Sequence, residues 1–497
     1  MNTISASNIS KSFPAKKVFE NISLTINQGD RIAVIGENGI GKSTLMKILC
    51  GIESPDEGKI QCDNWIDRRY SAQEPTFNKT KTLLEIIADL ANPDECLRNM
   101  SKLGFKVSDK DISEMKVQSL SGGQQKILDL ACQISSSPDF LFIDEPENHL
   151  DIIARRELGK IVKKYWGAVV FVSHDRHFIN EVATKIIEIE DWQTRVVTGT
   201  YEEYIAQREI EIEAEARHWK SEKKDIQRLE NAVRILQLRA RFNTKGSGVY
   251  QSRKRELEKR KSNLGEKPAT ERGRIKLQSN DIDRKNGKRI VVCENLSFRY
   301  GNSTPFLFTN VNLGLQFGER VALVGRNGTG KSTLVNILRG IIQPNRGICK
   351  LGNDINVQYF DQMSTFDNKS TALKIVESAM SCHEGIARSL LAKILFNQHE
   401  VTLPLHRLSG GQRNRIRIAL LFAKNPEFIV LDEPTNNLDP TTWDVLVDQI
   451  QDYKGTLLII SHDQSFLENI NMDKFWVFKN RSIIEDLRDL SKILAEL

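Results

Sequence analysis

Apolar residues fall mostly in short unbroken runs, of a length suited to strands. Arg31–Ile35 and Arg320–Val324 each lead from one basic residue into an apolar β-type run. Phe140–Ile143, Phe428–Leu431, Ala168–Val172 and Leu457–Ile460 show no alternation, the pattern of strands covered on both faces in a parallel sheet. No run approaches the roughly 18 apolar residues of a membrane span. A different period governs the middle of the chain. Ile226, Leu229, Val233, Leu236 and Ala240 recur at spacings of three and four, which predicts a helix with one packed seam. Arg241–Val249 carries two glycines and reads as a turn, after which Tyr250, Leu257 and Leu264 repeat every seven residues. The expectation is an antiparallel helical hairpin closed by Gly265–Pro268.

The strand-rich parts are two copies of one sequence. Gly36–Thr44 (GENGIGKST) returns as Gly325–Thr333 (GRNGTGKST), offset by 289 residues at the lysines. Leu120–Gln124 (LSGGQ) returns at Leu408–Gln412, Ile143–Asp151 (IDEPENHLD) as Leu431–Asp439 (LDEPTNNLD), and Val172–Asp175 as Ile460–Asp463, all offset by 288. Blocks in one order at one spacing mark a duplicated domain. The organisation expected is a first domain over 1–205, a helical-hairpin linker over 206–290 and a second domain over 291–497. A length of 497 residues accommodates that plan.

Charge sharpens the picture of the linker. Residues 217–276 hold 19 Lys and Arg against 7 Asp and Glu, a net of +12, while the whole chain is +6. Everything outside that window therefore sums to −6, so the basic charge is concentrated as in a polyanion-binding element. The start of the chain has no basic segment followed by an apolar one, so no secretory signal is expected. Seven scattered cysteines without a CxxC pair predict reduced thiols in a cytoplasmic protein and no zinc site.

The chemistry sits in both copies. A strand, then G-x-x-x-x-G-K-S/T, then an apolar-periodic helix is the setting of a phosphate-binding loop. Gly36, Gly39 and Gly41 with Asn38, and Gly325, Gly328 and Gly330 with Asn327, let the backbone curl so that N–H groups and a helix N-terminus face phosphate. Lys42 and Lys331 would neutralise β/γ oxygens, and Ser43 and Ser332, followed by Thr44 and Thr333, would offer hydroxyls to Mg²⁺. Two acids end an apolar strand in each copy: Asp144 or Asp432 for the Mg²⁺ shell, Glu145 or Glu433 for the attacking water. His174 and His462 follow the next strand, within reach of a γ-phosphate oxygen.

Phosphate loop, LSGGQ, DEP–LD and SHD in this order resemble the ATP-binding cassette superfamily, over about four-fifths of the chain. The resemblance implies two P-loop α/β nucleotide-binding domains in tandem, an ATPase with ATP and Mg²⁺ as its ligands. It implies that Phe13 and Tyr300 stack on adenine. Gln73 and Gln362, each 31 residues beyond its lysine, would sense Mg²⁺ and the γ-phosphate. Ser121, Gly122, Gly123 and Gln124 would cap ATP held by the second loop, and Ser409, Gly410, Gly411 and Gln412 ATP held by the first, giving two composite sites. Two cassettes joined by a basic hairpin resemble the F subfamily, which implies a monomer that binds the ribosome. Its hairpin would lie on rRNA and P-site tRNA, in translation or in protection against antibiotics, with no membrane and no permease. Arg239, Arg241, Lys245, Arg253, Lys254 and Arg255 flank or form the hairpin tip and are the candidate phosphate contacts.

Some positions depart from the family pattern. Glu147 stands where Thr is usual, Phe13 where Tyr is usual, and Gln125-Lys126 follow the first signature where the second has Arg413. Hydrolysis is expected at both sites, unequally. The lysine-to-signature intervals of 79 and 78 residues leave no room for an extra arm in the first cassette. The rival reading is the tandem ATP-hydrolysing subunit of an importer, whose connector would be shorter and less basic. A non-enzymatic scaffold would lack Glu145 and Glu433, and both are present.

Overall fold

The computed structural model describes the chain apart from residues 1, 14–15, 148–149, 191, 241–246, 264–287, 302–303, 361–368, 395, 437 and 497. Packing divides it into two compact units, Met1–Tyr201 with Ile275–Leu497, and Glu202–Arg274. The two cassettes thus share one unit, and the hairpin forms the other. Among the described residues no helix is long and apolar enough to cross a membrane.

Each cassette is built on two sheets. In the first, strands run in the order Arg68–Ser71, Phe140–Asp144, Ala168–Val172, Arg31–Gly36, Lys185–Glu190 and Gln193–Thr198, parallel except for the last. In the second the order is Val357–Phe360, Phe428–Asp432, Thr456–Ile460, Arg320–Val324, Lys474–Lys479 and Ser482–Asp486, with the same directions. The unalternating strands are buried along their whole length, as double coverage requires. A smaller antiparallel sheet, Lys16–Asn27, Thr3–Phe13 and Glu57–Gln61, packs with the helix Lys42–Cys50 around Phe19, Ile22, Leu45 and Leu49. Phe308–Gln316, Arg289–Phe298 and Arg346–Leu351 repeat that arrangement. The loop between strand and helix opens outward at the carboxyl ends of the parallel strands, where such sheets bind ligands.

The basic residue that opens the strand before each phosphate loop has a structural task. Arg31 is buried and donates from Nε to the Val162 carbonyl (2.7 Å), from Nη1 to Gly167 (2.7 Å), and from Nη2 to Tyr165. These carbonyls end the helix Ile152–Lys164 and the turn after it, where intrahelical donors run out; Val162 also accepts from the Tyr165 N–H at 3.2 Å. Arg320 repeats the cap with Ile450 (3.2 Å), Tyr453 (2.9 Å) and Ile470 (3.1 Å). One guanidinium therefore joins strand to helix in each copy.

The hairpin unit contains the helices Tyr201–Ala240, whose first residue belongs to the cassette unit, and Ser247–Asn263. Ile226, Val233 and Leu257 form its core, with Leu229 and Tyr250 packed against them. Lys261 Nζ meets Glu230 Oε1 at 2.5 Å, so the second helix runs back along the first. Leu264, Gly265–Pro268 and most of the turn lie outside the described residues.

The cysteine expectation fails at one pair. Cys293 and Cys349 face each other in register on neighbouring antiparallel strands, Cα atoms 4.1 Å apart, and are joined as a disulfide. Their separation of 56 residues hides this cross-strand pairing from any local motif. Cys50, Cys62, Cys96, Cys132 and Cys382 are free thiols.

Replacing Arg31 with Met should remove the side-chain donors of the Val162, Tyr165 and Gly167 carbonyls and lower stability by roughly 2–4 kcal/mol. Arg31→Lys, with one donor group in place of a fork, should recover only part. Urea unfolding followed by the near-ultraviolet signal would measure both; equal midpoints for parent and Arg31→Met would refute the capping role.

Candidate nucleotide sites

The phosphate loops are shaped by glycines where side chains cannot go. Gly41 and Gly330 precede their helices with φ of 115° and 107°, a region that favours glycine. A Cβ on Gly41 would lie 2.1 Å from Val18 Cγ1. Lys42 begins the helix Lys42–Cys50 and folds its ammonium back onto the loop, donating to the carbonyls of Gly36 (2.8 Å) and Glu37 (3.1 Å). Lys331 does the same to Gly325 (2.8 Å) and Arg326 (3.0 Å). Burial pushes Lys42 down to about 8, against the pull of Glu145, Asp144 and Asp439. Lys331 is lowered for the same reason, against Glu433, Asp151 and Asp432.

The acids stand at the ends of their strands. Glu145 and Glu433 have φ of 44° and 47°, a costly conformation for a residue with a side chain. Their backbone N–H groups donate to the Val172 (3.0 Å) and Ile460 (2.8 Å) carbonyls of the adjacent strand, which holds the turn. Gln73 Nε2 donates to Glu145 Oε2 at 2.7 Å. Asp144 Oδ2 accepts from the Tyr70 hydroxyl (2.7 Å), whereas its Oδ1 is buried with no hydrogen-bond partner. A buried carboxylate oxygen left open, in a cassette that also supplies Ser43 and Gln73, suits a Mg²⁺ shell completed by water and phosphate. Ser332 and Asp432 line the same cavity in the second cassette; Gln362 lies outside the described residues.

His174 Nε2 lies 3.9 Å from Glu145 Oε1, and His462 Nε2 lies 3.4 Å from Glu433 Oε1. Burial, helped by Lys42, drives His174 down to about 3, and His462 is likewise held well below its usual range by burial, Lys331 and Arg155. Both rings are therefore neutral. Glu147 takes a position its counterpart Thr435 cannot mimic: Oε1 accepts from Ser173 Oγ (2.8 Å) and the His174 N–H (2.6 Å).

Each signature begins a helix of 14 residues, Gly122–Ser135 or Gly410–Ala423. Ser121 and Ser409 cap these helices reciprocally with Gln124 and Gln412. Gly122 and Gly410 leave the N-termini open, and Gly411 has no room for a side chain because Asp439 Oδ2 would lie 1.7 Å from its Cβ. A cavity of about 630 Å³ is lined by Ser121, Gly122 and Gly123 of the first cassette and by Tyr300, Lys331, Ser332, Asp432, Glu433 and His462 of the second. Tyr300 is half exposed, and its hydroxyl meets Thr333 Oγ1 at 2.9 Å. Phe13 is also exposed, with Lys11 over its ring at 5.9 Å.

The cassettes touch beyond this cavity. Asn327 N–H donates to Asp151 Oδ2 (3.0 Å), Ile152 N–H to His462 Nδ1 (3.3 Å), and Arg155 Nη1 to the His462 carbonyl (3.4 Å). Arg176 pairs with Asp444 at 2.7 Å. Asp151, Ile152 and Arg155 are not among the site residues expected from sequence. The signal was available in the 288-residue offset, which sets Ile152 against Pro440 and Arg155 against Trp443. In the hairpin, Arg253, Lys254 and Arg255 lie on the helix Ser247–Asn263, while Arg241, Lys245 and the side chain of Arg239 fall outside the described residues.

A family model described as "ABC transporter" matches residues 19–148 and 308–436. The chain is 30% identical to "Ribosome protection protein VmlR" of Bacillus subtilis, over 98% of this chain and 88% of that protein. It is 29% identical to "ABC transporter F family member 2" of Arabidopsis thaliana, over 93% and 74% of the two chains. Among solved structures, "RNase-L Inhibitor" superposes with a TM-score of 0.64 at 19% identity, covering 99% of this chain and 92% of that one, a likeness of fold. Two matched cassettes, their nucleotide-binding geometry and these relatives together mean that the chain belongs to the ATP-binding cassette superfamily, in its F subfamily.

Proposed function

We propose that this protein is a cytoplasmic ATPase with two composite sites, whose ATP-bound form binds the ribosome and acts in translation or in its protection against antibiotics. The hydrolytic part of this reading is supported by the cavity in which the first signature faces the second phosphate loop. ATP there would place its phosphates against Lys331 and the loop N–H groups, with the helix N-terminus at Ser121 closing over the γ-phosphate. Glu433 would orient and accept a proton from the attacking water. Neutral His462 would donate from Nε2 to a γ-phosphate oxygen as negative charge shifts in the transition state. Glu145 and His174 would act likewise beside Lys42. Mg²⁺, when bound, neutralises phosphate charge; Ser43, Asp144 and Gln73, or Ser332 and Asp432, would hold it.

The observation that carries the ribosome reading is the net charge of +12 over residues 217–276, between two cassettes whose remaining sequence is net negative. A relative named as a ribosome protection protein aligns over 98% of the chain. The described hairpin cations are available for phosphate. Arg253 and Lys254 are about half exposed and, among the described residues, pair with Glu256 and Glu258 on their own helix, ion pairs that cost little to exchange. ATP joining two half-sites interacts differently with open and closed cassettes, and such a difference is what moves a conformational equilibrium.

Changing Glu145 and Glu433 together to Gln should retain ATP binding and lower hydrolysis by about 10²–10³-fold. The same variant should stay on ribosomes in ATP and leave them in ADP. Parent-like turnover would unseat the two acids, and equal co-sedimentation in the two nucleotides would unseat the gating.

Neutralising Arg239, Arg241, Lys245, Arg253, Lys254 and Arg255 to Gln tests the hairpin. For every phosphate that one of these cations neutralises in the parent, the slope of log affinity against log salt should fall by about 0.7–0.9 in the variant. Ribosome binding should weaken while ATPase without ribosomes persists. Unchanged affinity and slope would remove the nucleic-acid role; absence of ribosome binding in the parent itself would favour a transporter motor.

A further inference from the structure

We infer that the two nucleotide sites are unequal, because the first cassette supplies two positioning groups to His462 that the second cassette cannot return to His174. The inference deepens the composite-site reading and rests on it. The first group is the Ile152 N–H, which donates to His462 Nδ1 at 3.3 Å. A ring nitrogen that accepts carries no proton, so the proton of the neutral ring sits on Nε2. That is the nitrogen facing Glu433, 3.4 Å away, at the cavity beside Lys331. The second group is Arg155, buried, with Nη1 shared between Asp175 Oδ2 (3.2 Å) and the His462 carbonyl (3.4 Å). Its charge is felt by Glu433 and Asp463 across the interface.

The mirrored positions differ in kind. The residue 288 beyond Ile152 is Pro440, whose nitrogen has no hydrogen to give. The residue 288 beyond Arg155 is Trp443, which is neutral. Its indole Nε1 donates to Asp463 Oδ2 within its own cassette (3.2 Å), and Arg176 stacks on its ring at 3.9 Å. Among the described residues, the second site therefore has its histidine oriented in trans and the first does not. Glu147 adds to the difference. Its Oε1 holds the His174 N–H, whereas in the second cassette the His462 N–H donates to Glu433 itself, at 3.4 Å. The site at Lys331 is the faster one, and it depends on the start of the helix Ile152–Lys164.

Ile152 is the first residue of that helix, where proline is well tolerated, as Pro440 is at the start of Pro440–Asp452. Ile152→Pro thus removes the N–H, and Ile152→Ala removes the side chain but keeps the N–H. With Glu145→Gln silencing the first site, Ile152→Pro should slow ATP turnover about tenfold, the order of one lost hydrogen bond, and Ile152→Ala no more than about threefold. In protein labelled with ¹⁵N-histidine, long-range ¹H–¹⁵N spectra without nucleotide should show His462 as the Nε2–H tautomer in the parent and in Ile152→Ala. Ile152→Pro should show a tautomer mixture, the signal being assigned by its loss in His462→Gln. With both sites otherwise intact, Glu433→Gln should cost more turnover than Glu145→Gln. Equal effects of the Pro and Ala variants on rate and spectrum, or a Glu145→Gln protein slower than Glu433→Gln, would overturn the inference. Failure of the double Glu→Gln variant to reduce turnover would instead undo the composite-site reading beneath it.

Discussion

Two buried ammonium groups impose the constraint around which the cassettes are arranged. Lys42 and Lys331 are only 6% and 7% exposed, and a lysine taken out of water must be compensated or give up its proton. The loop carbonyls of Gly36, Glu37, Gly325 and Arg326 take part of that task. The remaining compensation is electrostatic, and one acid for each lysine comes from the facing cassette, Asp439 for Lys42 and Asp151 for Lys331. Apposition of the cassettes and the state of the phosphate loops are therefore linked before any nucleotide arrives. Phosphate oxygens placed at these loops would compete with the same carbonyls for the same protons.

Much of this was legible in the sequence because it is written in local patterns. Strand runs without alternation pointed to the parallel sheets, and the glycines around Lys42 and Lys331 to the loops. The acids followed from their place at strand ends, and the hairpin from its three-four spacing. What stayed hidden is set by packing across the interface. The offset between the copies marks Ile152 and Arg155 as positions that differ from their counterparts, but not that the guanidinium reaches the His462 carbonyl or that the Ile152 N–H reaches its ring. The Cys293–Cys349 pairing is hidden for the same reason, since it depends on strand register over 56 residues. Arg31 and Arg320 read in sequence only as the residues opening their strands; their role as caps appears once the helix ends they hold are in view.

The hairpin and the cassettes solve the problem of charge in opposite ways. In the hairpin the cations stand in water beside acids one turn away, at Arg253 with Glu256 and Lys254 with Glu258. Its apolar core is confined to a few residues around Val233 and Leu257. Such charges are screened by salt and readily re-paired. At the nucleotide sites the charges are buried and opposed by close partners, so that each can be removed only at a cost to its partner.

That rule bears on two residues at which the first cassette departs from the second. Lys126 is wholly buried and donates to the carbonyls of Ala72 (2.5 Å) and Asp144 (2.9 Å), which fixes the segment before Gln73 to the strand that ends in the acids. Glu147, also buried, holds Ser173 and the His174 N–H. Burial lowers the Lys126 amine while Asp129, Asp144 and Glu147 oppose the shift, and burial raises Glu147 to about 7. The counterparts 288 residues on are Asn414 and Thr435, both neutral. The acid that acts most on Lys126 is Asp129 on its own helix, and the cation that acts on Glu147 is Arg155, so the two buried charges are opposed by different partners. The departure at Glu147 is therefore tied to the guanidinium that also reaches the His462 carbonyl, and so to the facing cassette.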